Sequence, residues 1–166
     1  EEKDRRKTEI VMAANQDLVN HIMKMNERIG AAYMPRIEGW FAEAIKGLKS
    51  LDSMRDKVSA ALANAKIEAN AAADRIDANL KSLEADGQNW RFLFPDLGAV
   101  CTKASDDFAA MLAARKASHA AAESARIEKI RAEEKAKAEA AAAAKVKETK
   151  EAEDALIKGL WANAKR

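Results

Sequence analysis

The stretch from Ser50 to Asp86 keeps helical time for longer than any other part of the chain. Leu51, Met54, Val58, Leu62, Ala65, Ala69, Ala72, Ile76, Leu80 and Leu83 recur at steps of three and four, which gathers them on one stripe of an α-helix. Ser50 is placed as its N-cap, with Asp52 in the first turn near the positive end of the helix dipole. Asp86-Gly87 is placed as its end, because glycine takes the left-handed conformation that closes a helix. At ~1.5 Å per residue such a helix is roughly 50 Å long, so the rest of the chain is expected to lie along a rod.

A first helix is expected over residues 2–29, with Ile10, Ala14, Leu18, Ile22, Met25 and Ile29 as its apolar stripe and Gly30 as its stop. Residues 35–48 read as a shorter helix opened by Pro35, with Ile37, Trp40, Phe41, Ala44 and Ile45 sharing a face. With residues 50–86 this makes three successive antiparallel helices, since short connections favour antiparallel neighbours. Pro95 opens a short helix over residues 95–102, and Ser105 is placed as the cap of another over 105–122, with Asp106 and Asp107 in its first turn. From residue 123 to 166 the apolar face fades to alanine, while Glu133/Lys137, Lys135/Glu139, Lys147/Glu151 and Lys150/Asp154 fall at i,i+4. Each pair is worth only about 0.2–0.5 kcal/mol, and alanine adds helix propensity. The fold class is therefore all-α: an elongated antiparallel helical bundle or coiled coil over 1–122, continued by a charged, alanine-rich C-terminal helix over 123–166.

Composition agrees, with 34% charged and 5% aromatic residues and two prolines among 166. Residues 1–87 hold 14 basic and 15 acidic groups and residues 88–166 hold 15 and 12, so neither half has the excess that grips many phosphates. The lone Cys101 excludes an internal disulfide and fits a reducing, cytoplasmic setting. No apolar run is long enough to span a membrane. The chain starts at Glu1 without a signal-peptide pattern and is expected to be part of a longer protein, whose other domain would carry any chemistry.

Few residues suggest a reaction. His21, His119 and Cys101 are too scattered for a zinc site or a nucleophilic set. Pro95-Asp96 with Glu148-Thr149-Lys150 matches, as text, the signature of magnesium nucleases. That chemistry needs the acids and lysine converging on one metal from adjacent strands, whereas Glu148 and Lys150 point about 200° apart on a helix. Glycine-rich phosphate cradles are absent and no cofactor is implied. The aromatic-rich segment holding Trp90, Phe92, Phe94 and Leu97 reads as a hydrophobic plug at the end of the bundle, with a partner-docking patch as the alternative. Leu156, Ile157, Leu160 and Trp161 restore an apolar cluster near the C-terminus that pairs with another copy or docks back; Leu160 and Trp161 join the docking candidates. Arg91, Lys103, Arg115 and Lys116 flank the aromatic segment and are the candidates for weak single-strand contacts.

Three stretches carry a resemblance: residues 40–54 (Trp40-Phe41-Ala42-Glu43-Ala44 through Leu51-Asp52-Ser53-Met54), Phe92-Leu93-Phe94-Pro95-Asp96-Leu97, and Asp106-Asp107-Phe108-Ala109-Ala110. In this order they resemble the helical region that follows the nuclease domain in phage YqaJ-type, lambda-exonuclease-like viral recombinases, and related phage proteins of unknown function. The resemblance covers roughly residues 5–125 and includes no catalytic residue of that family. It implies a non-catalytic accessory module in phage DNA recombination or end processing, in the cytoplasm of the bacterial host. Its partners would be a phage nuclease, an annealing protein or a single-strand-binding protein, with DNA contacted indirectly. The alternatives are a structural coiled-coil rod, TolA-like or bacteriocin-like in its tail and forming a homo-oligomer, and a weak nucleic-acid binder or inhibitor of a host nuclease.

Overall fold

The computed structural model describes residues 1–165, which are all-α and contain no strand among those residues. Five helices follow one another: α1 (Glu2–Ile29), α2 (Phe41–Ala44), α3 (Leu51–Ser82), α4 (Leu97–Val100) and α5 (Ser105–Ala164), with a 3₁₀ turn at Arg91–Leu93 before α4. The chain divides into two compact units, Glu1–Lys116 and Ala117–Arg166.

In the first unit α1 packs along α3 as expected, and both run in the same direction. Asp17 reaches Lys66 at 2.8 Å, His21 meets Asn70 at 2.9 Å and Arg28 pairs with Asp74, so numbering rises together on the two helices. The alanines of α3 make this close packing possible: Ala65, Ala69, Ala72 and Ala73 are buried, with side chains too small to hold α1 away. Gly30 ends α1 in the left-handed conformation, φ 79°, and its N–H donates to the carbonyls of Asn26 and Glu27.

The segment that returns between them runs antiparallel to both, but its helix is much shorter than the 35–48 expected: only Phe41–Ala44 is helical. Distance explains this. The N–H of Met34 donates to Asn26 Oδ1, while Trp40 and Phe41 line a groove with Val11 and Asn15. From Asn26 back to Val11 is about 22 Å along a helix. Six residues cover that span when extended, at ~3.3 Å each, but only about 9 Å as helix. The shared face foreseen for this segment also breaks up. Ile37, Phe41 and Ile45 are buried, but Trp40 turns outward.

Helix α3 stops at Ser82, four residues before the expected end. The Leu83 and Glu84 N–H groups tighten onto the carbonyls of Leu80 and Lys81, and the Leu83 carbonyl accepts from Trp90 N–H at 3.0 Å. Gly87 is left-handed as expected but belongs to the following loop. Ser50 occupies the N-cap of α3 without a side-chain capping bond. Helix α4 is confined to Leu97–Val100 within the expected 95–102. Ser105 is the first residue of α5, one place inside its expected cap position. Residues 105–122 and the charged segment after them form one unbroken 60-residue helix.

Two clusters fill the first unit. Ala14, Leu18, Ile37, Phe41, Ile45, Met54, Val58, Ala65 and Ala69 make one. The other joins the end of α3 (Ile76 and Leu80) and Leu83 just past it to Phe94, Leu97, Val100, Cys101, Phe108 and Leu112. No helix among the described residues is long and apolar enough to cross a membrane.

Candidate docking surfaces

The aromatic segment after α3 separates into an inner and an outer set. Phe94 stacks on Phe108 with ring centroids 5.2 Å apart, and both are buried together with Leu97. Phe94 and Leu97 are thus core residues, which corrects their candidacy for docking: a partner cannot reach side chains that close the second cluster. Phe92 faces the other way, 62% exposed, with its ring 6.0 Å from that of half-buried Trp90. Trp90 is fixed from both sides. Its Nε1–H donates to both carboxylate oxygens of Asp86, at 2.8 and 2.9 Å, and the Lys116 ammonium lies 4.6 Å from its ring centroid. The result is an exposed aromatic edge on a braced turn.

The basic residues beside it are already engaged. Arg115 forms a two-pronged bond with Asp96 at 2.6 and 2.8 Å, donates to the Leu93 carbonyl and stacks 4.4 Å over Phe94. Lys116 pairs with Asp86 at 2.7 Å, and Arg91 with Glu84 at 3.2 Å. Three of the four candidate nucleic-acid contacts therefore have their charge compensated by a carboxylate, and their geometry is that of braces. Lys103 is exposed, and its carbonyl accepts a bond from Asn79. The pairing leaves its mark on the acids. Lys116, and after it Trp90, hold the Asp86 carboxyl down at about 2 from its usual 3.8. Arg115 likewise lowers Asp96 and is itself raised by it.

The remaining reactive groups are structural or dispersed. Cys101 is fully buried, which pushes its thiol pKa up, and so it lacks the thiolate character of a nucleophile. His21 bonds to Asn70, and His119 is half-buried on α5. Asp96 of the nuclease-like text match is held by Arg115, and Glu148 and Lys150 are exposed on α5. No group of three or more His, Cys, Asp or Glu side chains among the described residues is placed to hold a metal ion.

Two features escaped the sequence reading. Met12, Val19 and Met23 are 65%, 50% and 56% exposed and recur at steps of seven and four, so α1 carries a second apolar stripe outside its packed one. That spacing was visible in the sequence. Trp40 is 68% exposed and left-handed at φ 49°, the sole non-glycine residue with positive φ among those described. In the second unit Leu156, Ile157, Leu160 and Trp161 are all exposed, and a shallow groove runs between Leu160, Trp161 and Ala164. Comparison with protein-family models, curated proteins and solved structures gives no match.

Proposed function

We propose that this chain is a non-catalytic helical module that works by holding another protein, in the setting its resemblance implies: phage DNA recombination or end processing, in the cytoplasm of a bacterial host. The observation that carries the reading is Phe92, 62% exposed beside braced Trp90 on a turn that leads into buried Phe94. An aromatic side chain held rigidly at the surface loses little conformational freedom on binding, which is why such residues anchor interfaces. The partner classes are a phage nuclease, an annealing protein or a single-strand-binding protein. The carboxylate pairing of Arg91, Arg115 and Lys116 favours a protein partner over direct DNA contact.

The test is capture of partners by this chain from phage-infected cells, with and without nuclease treatment, read by mass spectrometry. Recombination proteins that persist after nuclease and vanish with Phe92→Ala support the reading. Loss on nuclease alone makes DNA the bridge, and recovery of envelope proteins instead defeats it. A second reading, a structural coiled-coil rod, is favoured by the 60-residue length of α5 and its exposed, charge-alternating surface.

A further inference from the structure

Asp86 is followed by Gly87, and no other Asp or Asn in the chain is followed by glycine. Asp-Gly is the aspartyl step most open to succinimide formation. Glycine has no side chain to shield its nitrogen and leaves the backbone free to fold back on the carboxyl. The step lies in the exposed turn after α3, and Gly87 is left-handed at φ 77°. In the reaction the Gly87 nitrogen bonds to Asp86 Cγ, and its proton and the carboxyl hydroxyl leave as one water. Water then opens the five-membered ring. Attack at the side-chain carbonyl restores aspartate, whereas attack at the main-chain carbonyl leaves the chain running through Cγ, which is isoaspartate. One water leaves and one returns, and nothing is oxidised or reduced.

Both reacting groups are held back in this structure. Ring closure needs a neutral carboxyl, since a carboxylate resists attack and has no hydroxyl to release as water. The Asp86 carboxylate receives Lys116 Nζ at 2.7 Å, Trp90 Nε1–H at 2.8 and 2.9 Å and the Gln88 backbone N–H at 3.3 Å. All of these donors favour the ionised form. Held at about 2, the carboxyl is neutral at least about tenfold less often at neutral pH than it is at its usual 3.8. The nucleophile is engaged as well, because the Gly87 N–H donates to the Glu84 carbonyl at 3.2 Å. We propose that Asp86-Gly87 is a latent isoaspartate site, closed by the grip of Trp90 and Lys116 and opened when that grip is lost. Isomerisation adds a methylene to the main chain and takes the carboxylate from the place where Trp90 and Lys116 hold it. The proposal stands independently of the partner assigned to Phe92, although the turn it would dismantle is the one that carries Phe92.

The test keeps the whole chain in neutral buffer, folded and in urea. Isoaspartate is counted by methyl transfer from S-adenosylmethionine with an isoaspartyl methyltransferase and located by peptide mapping. The folded chain should gain isoaspartate at position 86 at least about tenfold more slowly than the unfolded chain. Lys116→Met and Trp90→Phe should each speed the folded chain several-fold, with far-UV circular dichroism showing that both remain helical. Asn79→Leu, which weakens the same unit without touching Asp86, should leave the rate near that of the parent chain. Equal rates in the folded and unfolded chains overturn the inference, as does an unfolded chain that gains no isoaspartate at position 86. Folded Lys116→Met and Trp90→Phe chains no faster than the parent overturn it too. So does an acceleration by Asn79→Leu as large as that by Lys116→Met, because overall stability and not the grip on Asp86 would then be the protection.

Discussion

The side-chain amide of Asn79 donates from Nδ2 to the carbonyl of Cys101 at 2.8 Å, and the same nitrogen donates to the carbonyl of Lys103 at 2.9 Å. Among the described residues Asn79 is the one polar residue in the buried set, and it fastens the last turns of α3 to the bend between α4 and α5. A single amide satisfies two carbonyls of the connection between these helices.

Asn79→Leu keeps the volume and removes both donors. It should destabilise the first unit by about 2–3 kcal/mol, since the buried carbonyl of Cys101 loses its bond without regaining water and the part-buried one of Lys103 loses its partner. Urea denaturation followed by far-UV circular dichroism and tryptophan fluorescence measures this, and a loss under about 0.5 kcal/mol would contradict the clamp.

Phe108 and Phe92 should part company on truncation. Phe108→Ala empties a fully buried site stacked on Phe94 and should cost about 3–5 kcal/mol, whereas Phe92→Ala should stay within about 1 kcal/mol. Denaturation midpoints of the two variants decide it. If Phe92→Ala proves as damaging as Phe108→Ala, the outer aromatic edge is part of the core.

Acid should loosen the brace at Asp86 in a defined window. Its folded pKa, about 2, is below its usual 3.8, so the carboxylate's contribution is complete above about 3.8 and disappears as pH falls through about 2. Lys116→Met removes the principal cause and should return the Asp86 midpoint toward 3.8, observed by carboxyl carbon NMR. An unmoved midpoint would show that Trp90 alone sets it.

Trp40→Gly should be neutral or stabilising by up to about 1 kcal/mol. A left-handed non-glycine residue costs about 1–2 kcal/mol, glycine's greater unfolded freedom offsets part of the relief, and little burial is lost at this exposed position. Thermal melts compare it with Phe41→Ala, which should lose about 3–5 kcal/mol because Phe41 is core.

Periodicity made α1 and the body of α3 readable, because each buries one regular stripe; Ala14, Leu18, Met54, Val58, Ala65 and Ile76 are all in the core. It failed over residues 35–48 because the constraint there is not local. Extended and helical chains can present Ile37, Phe41 and Ile45 to the same core, and only the distance to be spanned along α1 decides between them. Gly39 was the available sign: a Cβ there would come within 2.1 Å of the Phe41 ring. At the aromatic segment the reading of a plug was sound for Phe94 and Leu97, and the outward turn of Phe92 was not foreseeable. Composition cannot tell which of two aromatics two residues apart meets α5. The carboxylate pairing of Arg115 and Lys116 was not legible for a similar reason, as Asp96 and Asp86 are 19 and 30 residues from the cations they pair with.

Met34 packs against both clusters of the first unit. Its thioether is flexible enough to fill the irregular space where the two meet. Conversion to the sulfoxide would put a polar, branched oxygen at that junction, touching the two cores together. One oxidised atom in the connecting segment would then be felt at both ends of α3, and a sulfoxide reductase could reverse it.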